Sequence, residues 1–184
     1  MKKESKLIYI PVTGVLAAMS TILYVFPKIR WFPPFHFLEI DFADIPALIA
    51  SCPMNPIIGG IVILIRNSIH LLMTSTGMVG ELSNFIISGM FVVSAGILFK
   101  LLKKQQYLST SRLIAAMAIA TVIQVVVAVL CNKYIMIPMY GIQGDPAEYI
   151  MMAVVPFNLI KTFMSSTIFV IVYKALIPKI KRYI

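Results

Sequence analysis

The run from Ile45 to Met73, IPALIASCPMNPIIGGIVILIRNSIHLLM, decides how this chain folds. As one helix its 29 residues would be about 43 Å long at 1.5 Å per residue, well beyond a hydrocarbon core of about 30 Å. Pro53 and Pro56 flank Met54 and Asn55 at its centre. A proline inside a helix removes a hydrogen bond and clashes with the preceding turn. The run therefore divides into a short helix over 43–52 and a longer one over 56–73.

Working outward, four further apolar runs fall at Leu7 to Phe26, Gly80 to Phe99, Leu113 to Cys131 and Tyr149 to Ile177. With the divided run they predict six spans, near 7–27, 43–52, 56–73, 80–100, 112–132 and 149–177. Composition agrees, since 60% of the 184 residues are hydrophobic, 12% are charged and the mean hydropathy is +0.93. A soluble domain has about 45–50% apolar and about 25% charged residues. The expected fold is an all-α membrane protein: residues 1–184 as a single bundle of six transmembrane helices, with little chain left for a catalytic domain outside the bilayer. Lys2, Lys3 and Lys6 resemble the start of a signal peptide, but the run behind them is about span length and lacks an Ala-x-Ala site.

Charge supports six spans independently. An even number puts both termini and the segment from Lys100 to Arg112 on one side, and eleven of the sixteen basic residues then share it: Lys2, Lys3, Lys6, Lys100, Lys103, Lys104, Arg112, Lys174, Lys179, Lys181 and Arg182. By the positive-inside tendency that side is cytoplasmic, so both termini are expected there. The net charge of +9 is then a topology signal, with some attraction to anionic lipid, and no nucleic-acid partner is expected. Apart from Glu4, every acidic residue lies at an outer span end or in an outer loop.

Ionisable groups within spans are costly and usually face the bundle interior, which makes each a candidate for function. Glu81, Asn84 and Ser88 share one face of the fourth span, Asn158, Lys161 and Ser165 one face of the sixth, and Gln124 and Asn132 one face of the fifth. Arg66, Asn67 and His70 close the third span; Asp41 and Asp44 open the short second helix. Most of these groups fall in the outer half. They define a polar pocket open to the outer face, edged by Trp31, Phe32, Phe35, Phe37, Phe42, Tyr134 and Tyr140, that suits a flat heteroaromatic ligand.

Plainer readings stand beside these. Trp31, Tyr134 and Tyr140 also suit an interfacial belt, and His36 and His70 suit interfacial or satisfied polar roles. Arg66 is expected in a structural ion pair with Asp41, Asp44 or Glu81, whereas Lys161, one turn after Asn158, is expected to touch ligand. On the first span Gly14 and Ala18, and Ala17 and Thr21, are spaced four apart. Such small-residue faces allow close helix approach, within the chain or to a partner subunit.

Cys52 and Cys131 sit in apolar stretches without metal-ligand spacing, so no disulfide framework, metal site or resident cofactor is expected. The sequence has no G-x-x-x-x-G-K-[ST], no H-E-x-x-H and no G-x-S-x-G. The pattern is that of a binding subunit, not an enzyme, with its energy supplied from elsewhere.

Five segments resemble the substrate-binding S components of energy-coupling factor (ECF) transporters, specifically the riboflavin-specific RibU family: LEIDFADIPAL at 38–48, RNSIH at 66–70, GELSNF at 80–85, Asn132 with IPMYG at 137–141, and PFNLIK at 156–161. The chain departs from the family at Arg66, where lysine is commoner, and at the turn from Cys52 to Pro56. The resemblance implies a multi-pass protein of the cell membrane that captures riboflavin at its outer face, with FMN or a related flavin as alternatives. It also implies assembly with a transmembrane coupling protein and two cytoplasmic ATPase subunits that use the ATP. The ligand residues it implies are Asp41, Glu81, Asn132, Asn158 and Lys161, to which the polar-face reading adds Asn84 and Tyr140. Gly14, Ala17, Ala18 and Thr21 are implied to meet the coupling protein. Other readings are an S component for a different vitamin, a small intramembrane enzyme using Glu81, His70 or Lys161, and a packing subunit without ligand.

Overall fold

A computed structural model of the protein describes residues 3–26, 39–73, 78–103, 108–141 and 144–180. The described residues form helices and connecting turns, with no strand among them. In chain order the helices are α1 (Lys3–Val25), α2 (Asp44–Ser51), α3 (Pro56–Leu71), α4 (Val79–Leu102), α5 (Thr110–Tyr140) and α6, which runs from Pro146 to Ile180. Three of them, Val79–Leu102, Thr110–Tyr140 and Pro146–Ala175, contain stretches long and apolar enough to cross a membrane. The aromatics expected at Trp31, Phe32, Phe35 and Phe37 lie outside the described residues, as do Lys2, Lys104, Lys181 and Arg182.

The break at the two prolines is a capped turn. The Asn55 side-chain oxygen accepts from the Ile57 N–H at 3.0 Å, and Pro56, which has no N–H to lose, takes the first position of α3. The short α2 this leaves is buried along almost its whole length, from Asp44 through Leu48 to Ser51. It packs against α1, α3, α4 and α6 and so plugs the middle of the bundle. The fit depends on two glycines. A Cβ added to Gly59 would lie 2.5 Å from the Ser51 Cβ, and one added to Gly96 would overlap the Ser51 hydroxyl. In that notch the Ser51 Oγ donates to the Val92 carbonyl at 2.6 Å.

Both α5 and α6 pass through a π-helical turn, at Asn132–Met136 and Ile150–Val154. Each lies just before a proline, Pro138 or Pro156. A proline ring crowds the carbonyl four residues earlier and offers it no N–H, and a widened turn relieves that conflict. The two π turns meet across the helix pair. Gly141, at φ 60°, then ends α5 in the left-handed conformation glycine adopts at least cost.

The distribution of polarity is that of a protein solvated by lipid. Val15, Val122, Phe163 and Ile171 are more than half exposed within their helices, while Arg66, Asp44, Gln124, Lys161 and Thr162 are buried. The apolar core beneath the buried polar layer is built on Leu48, Val62, Ile63, Phe91, Leu113 and Phe169.

Candidate functional site

The buried polar groups gather toward the end of the bundle at which α3 and α5 finish and α2, α4 and α6 begin. Two ion pairs and a histidine–carboxylate contact organise them. Arg66 Nη1 of α3 meets Asp44 Oδ1 of α2 at 2.9 Å, with both side chains at 0% exposure. The Arg66 Nη2 donates to Asn84 Oδ1 of α4 at 2.8 Å, and the Ser88 hydroxyl, one turn on, approaches Asp44 Oδ2 at 3.4 Å. From α1 the Tyr24 ring lies 4.7 Å from the guanidinium carbon. One arginine thus joins four helices, in the ion pair expected of it.

The second pair lies closer to α6. Lys161 Nζ donates to Asp41 Oδ2 at 2.9 Å, across 120 residues of chain and almost out of contact with solvent. Asp41 is held from behind, since its Oδ1 accepts from the Ala43 N–H at 3.0 Å and the Ser20 hydroxyl of α1 donates to the Ala43 carbonyl at 2.7 Å. The turn that leads from Asp41 into α2 is therefore held by contacts within the chain. In the third contact His70 Nδ1 lies 3.0 Å from Glu81 Oε1, with the Tyr24 ring edge-on to the imidazole.

Between α5 and α6 the polar contacts are made by amides. Asn158 Nδ2 donates to the Val154 carbonyl at 2.8 Å, and Asn158 Oδ1 accepts from Gln124 Nε2 at 3.2 Å. Asn132 donates to the Ala128 carbonyl in the same i to i−4 manner, at 2.8 Å. Each amide keeps donors or acceptors in reserve.

Of the residues singled out from the sequence, Asp41 and Lys161 are in direct contact, and Asn158 sits one turn from Lys161 on the same face. Asn132 is buried at the start of the α5 π turn. Glu81 and Asn84 belong to the other side, occupied by His70 and Arg66. Tyr140 is 42% exposed at the end of α5, apart from this cluster. Two residues named in the sequence pattern but not among the expected ligand residues gain weight. Asp44 is the counter-ion of Arg66, and Gln124, a lone amide in the apolar run from Ile123 to Val127, is the partner of Asn158.

The small-residue stretch on α1 divides between two faces. Gly14 and Ala18 are exposed, and a Cβ on Gly14 would meet nothing within 4 Å. Ala17 packs into the chain's own core at 2% exposure, and Thr21 turns its hydroxyl back to the Ala17 carbonyl at 2.8 Å. Of the four residues expected to meet a partner, Gly14 and Ala18 are thus open, Thr21 is half-buried and Ala17 is taken into the chain's own core. Away from the polar cluster, α5 and α6 leave an apolar groove of about 780 Å³ between Met117, Thr121, Phe163 and Val170. None of the predicted ligand residues lines it.

This architecture, a helical bundle with its polar groups buried and its apolar side chains turned outward, is that of a membrane-embedded binding protein. Residues 9–173 match the family described as ECF transporter, substrate-specific component, and the chain belongs to that family, a transport subunit rather than an enzyme. It is 31% identical to the riboflavin transporter RibU of Staphylococcus aureus (strain TCH60), over 99% of this chain and 95% of that protein. To the riboflavin transporter FmnP of Bacillus subtilis (strain 168) it is 27% identical, over 91% of this chain and 93% of that one. A solved structure of the S component of a bacterial ECF transporter superposes with a TM-score of 0.82 at 28% identity, covering 96% of this chain and 99% of that one.

Proposed function

We propose that this chain is the riboflavin-capturing subunit of an ECF uptake system of the cell membrane. The observation that carries the reading is the buried Lys161–Asp41 pair standing one helical turn from the Asn158–Gln124 amide contact. An ammonium whose charge is balanced and whose remaining N–H groups are unspent, beside amides that both donate and accept, matches the carbonyls, ring nitrogens and N–H of a flavin's pyrimidine edge. Relatives named as riboflavin transporters over nearly the whole chain point to the same ligand class. The proposed ligand residues are Asp41, Asn132, Asn158 and Lys161, with Glu81, Asn84 and Tyr140 at the periphery.

In this reading residues 1–184 form one domain of six spans with both termini cytoplasmic, and the buried charge layer lies in the outer half. A coupling protein docks on α1, and two ATPase subunits hydrolyse the ATP that drives uptake. Protein purified in detergent should quench riboflavin fluorescence on titration. Absence of quenching by riboflavin or FMN, with a different vitamin raising the unfolding temperature instead, would sink the assignment. For the topology, a cysteine at Asp145 should label from intact cells with a membrane-impermeant reagent and one at Lys103 should not. Labelling at Lys103 removes the six-span arrangement.

A further inference from the structure

The amide contact between α5 and α6 has a fixed polarity. The Val154 carbonyl can only accept, so Asn158 must turn its NH2 to it, at 2.8 Å, and present Oδ1 toward Gln124. Gln124 must then donate through Nε2, at 3.2 Å. What remains is Gln124 Oε1, a carbonyl oxygen on a side chain only 1% exposed and without a hydrogen-bond partner among the described residues. A buried acceptor left unmatched is costly; Asn67 Oδ1 on α3 is another, but Gln124 Oε1 is the one carried by the α5–α6 contact. The helix faces bearing Asn158 and Lys161 on one side and Gln124 on the other meet at this contact, so the orphan acceptor belongs to the same cluster as two spare donors, the second Asn158 N–H and the Lys161 ammonium.

From this arrangement we infer that Gln124 is a specificity-determining residue, whose Oε1 accepts the imide N3–H of the bound flavin. The inference rests on the flavin reading above. The pyrimidine edge of an isoalloxazine runs acceptor, donor, acceptor: the C4 carbonyl, N3–H and the C2 carbonyl. A protein edge complementary to it needs an acceptor between donors, and Gln124 Oε1 supplies the acceptor that neither an ammonium nor the committed oxygen of Asn158 provides. Such an edge selects for the unsubstituted imide, because a site built to pair an N–H rejects an analogue lacking it.

The test compares riboflavin with N3-methylriboflavin on the wild-type protein and on Gln124→Met, in detergent, by fluorescence quenching on the folded fraction. Methylation should weaken wild-type binding roughly 5- to 150-fold. In Gln124→Met riboflavin itself should bind more weakly by a factor in that range, and the penalty for methylation should shrink to within about threefold. Gln124→Glu, whose protonated acid offers the same donor to Asn158 and the same free carbonyl, should keep the wild-type penalty at acid pH; this variant decides the matter if the methionine variant does not fold. Equal wild-type affinity for the two flavins overturns the inference. So does a full methylation penalty in Gln124→Met, the signature of a steric clash rather than a lost hydrogen bond, or loss of the penalty in Gln124→Glu while riboflavin still binds. If the wild type quenches neither flavin, it is the ligand assignment that has failed.

Discussion

The two sides of the buried polar layer are built from similar residue types and do different things. On the α2, α3 and α4 side the charge of Arg66 is matched by Asp44, and its other terminal nitrogen by Asn84. Arg66 Nε and the neighbouring Asn67 Oδ1 have no partner among the described residues, so this side is balanced in charge without being saturated in hydrogen bonds. On the α5 and α6 side the partners are amides of which one, Gln124, retains a buried oxygen without a partner among the described residues. Charges that are fully neutralised by fixed neighbours tie helices together. Neutral amides fixed in position with unused valence are the groups to which the proposed function assigns the ligand. Lys161 stands at the border, balanced by Asp41 but with N–H groups to spare.

The largest effect should come from the matched side. Arg66→Met removes the bonded cation and leaves Asp44, at 0% exposure, with the Ser88 hydroxyl 3.4 Å away and the charge of Lys161 beyond it. Stranding one member of a buried pair costs about 3–5 kcal/mol. Thermal unfolding in detergent should show a loss of that order, largely restored in the double variant Arg66→Met/Asp44→Asn. A loss below about 1 kcal/mol would mean that the pair is as dispensable as a surface salt bridge.

At the border the effects should separate. Lys161→Met exposes Asp41 to the same stranding and also removes a ligand donor, so both stability and flavin affinity fall. Adding Asp41→Asn returns the stability, because the amide oxygen can still accept from the Ala43 N–H as Asp41 Oδ1 does. The affinity should stay down by about 1–3 kcal/mol, or roughly 5- to 150-fold. Recovery of both together would move Lys161 to the structural side of the comparison.

Much of this was legible in the sequence, for reasons that differ by residue. Pro53 and Pro56 act locally, so the division of the long apolar run into α2 and α3 could be read from spacing alone. Helical periodicity likewise put Asn158, Lys161 and Ser165 on one face. The partner of each polar residue is not a local property. Arg66 had three candidate carboxylates, and the choice of Asp44 depends on how deeply α2 sits in the notch formed by Gly59 and Gly96. Gln124 lies midway along the fifth span, below the outer half that holds most of the polar groups. Asn158 is itself deep in α6, and the antiparallel packing of α5 against α6 brings the two amides level. The π turns leave no mark in the hydropathy pattern, although Pro138 and Pro156 announce them through the carbonyl four residues back. Ala17 and Ala18 differ by one position, and the rotation of α1 about its axis, set by Ser20 bonding to Ala43, decides which of them faces inward.

That rotation yields the smallest expected effect on the site. Gly14 and Ala18 point away from the bundle, and added bulk at Gly14 meets no atom of this chain. Gly14→Leu and Ala18→Leu should therefore leave flavin affinity within about threefold of wild type, a difference under about 1 kcal/mol. Uptake by cells should nevertheless fall, because a leucine prevents the close approach of a partner helix that small residues permit. Ala17→Leu is the control from the neighbouring position. It forces extra volume into a packed core and should cost about 1–3 kcal/mol in stability, whatever partner is present. If Gly14→Leu and Ala18→Leu depress binding as much as uptake, α1 acts on the pocket itself, through Ser20 and the turn that holds Asp41, and the boundary between the site and the docking face would have to be redrawn along that hydrogen bond.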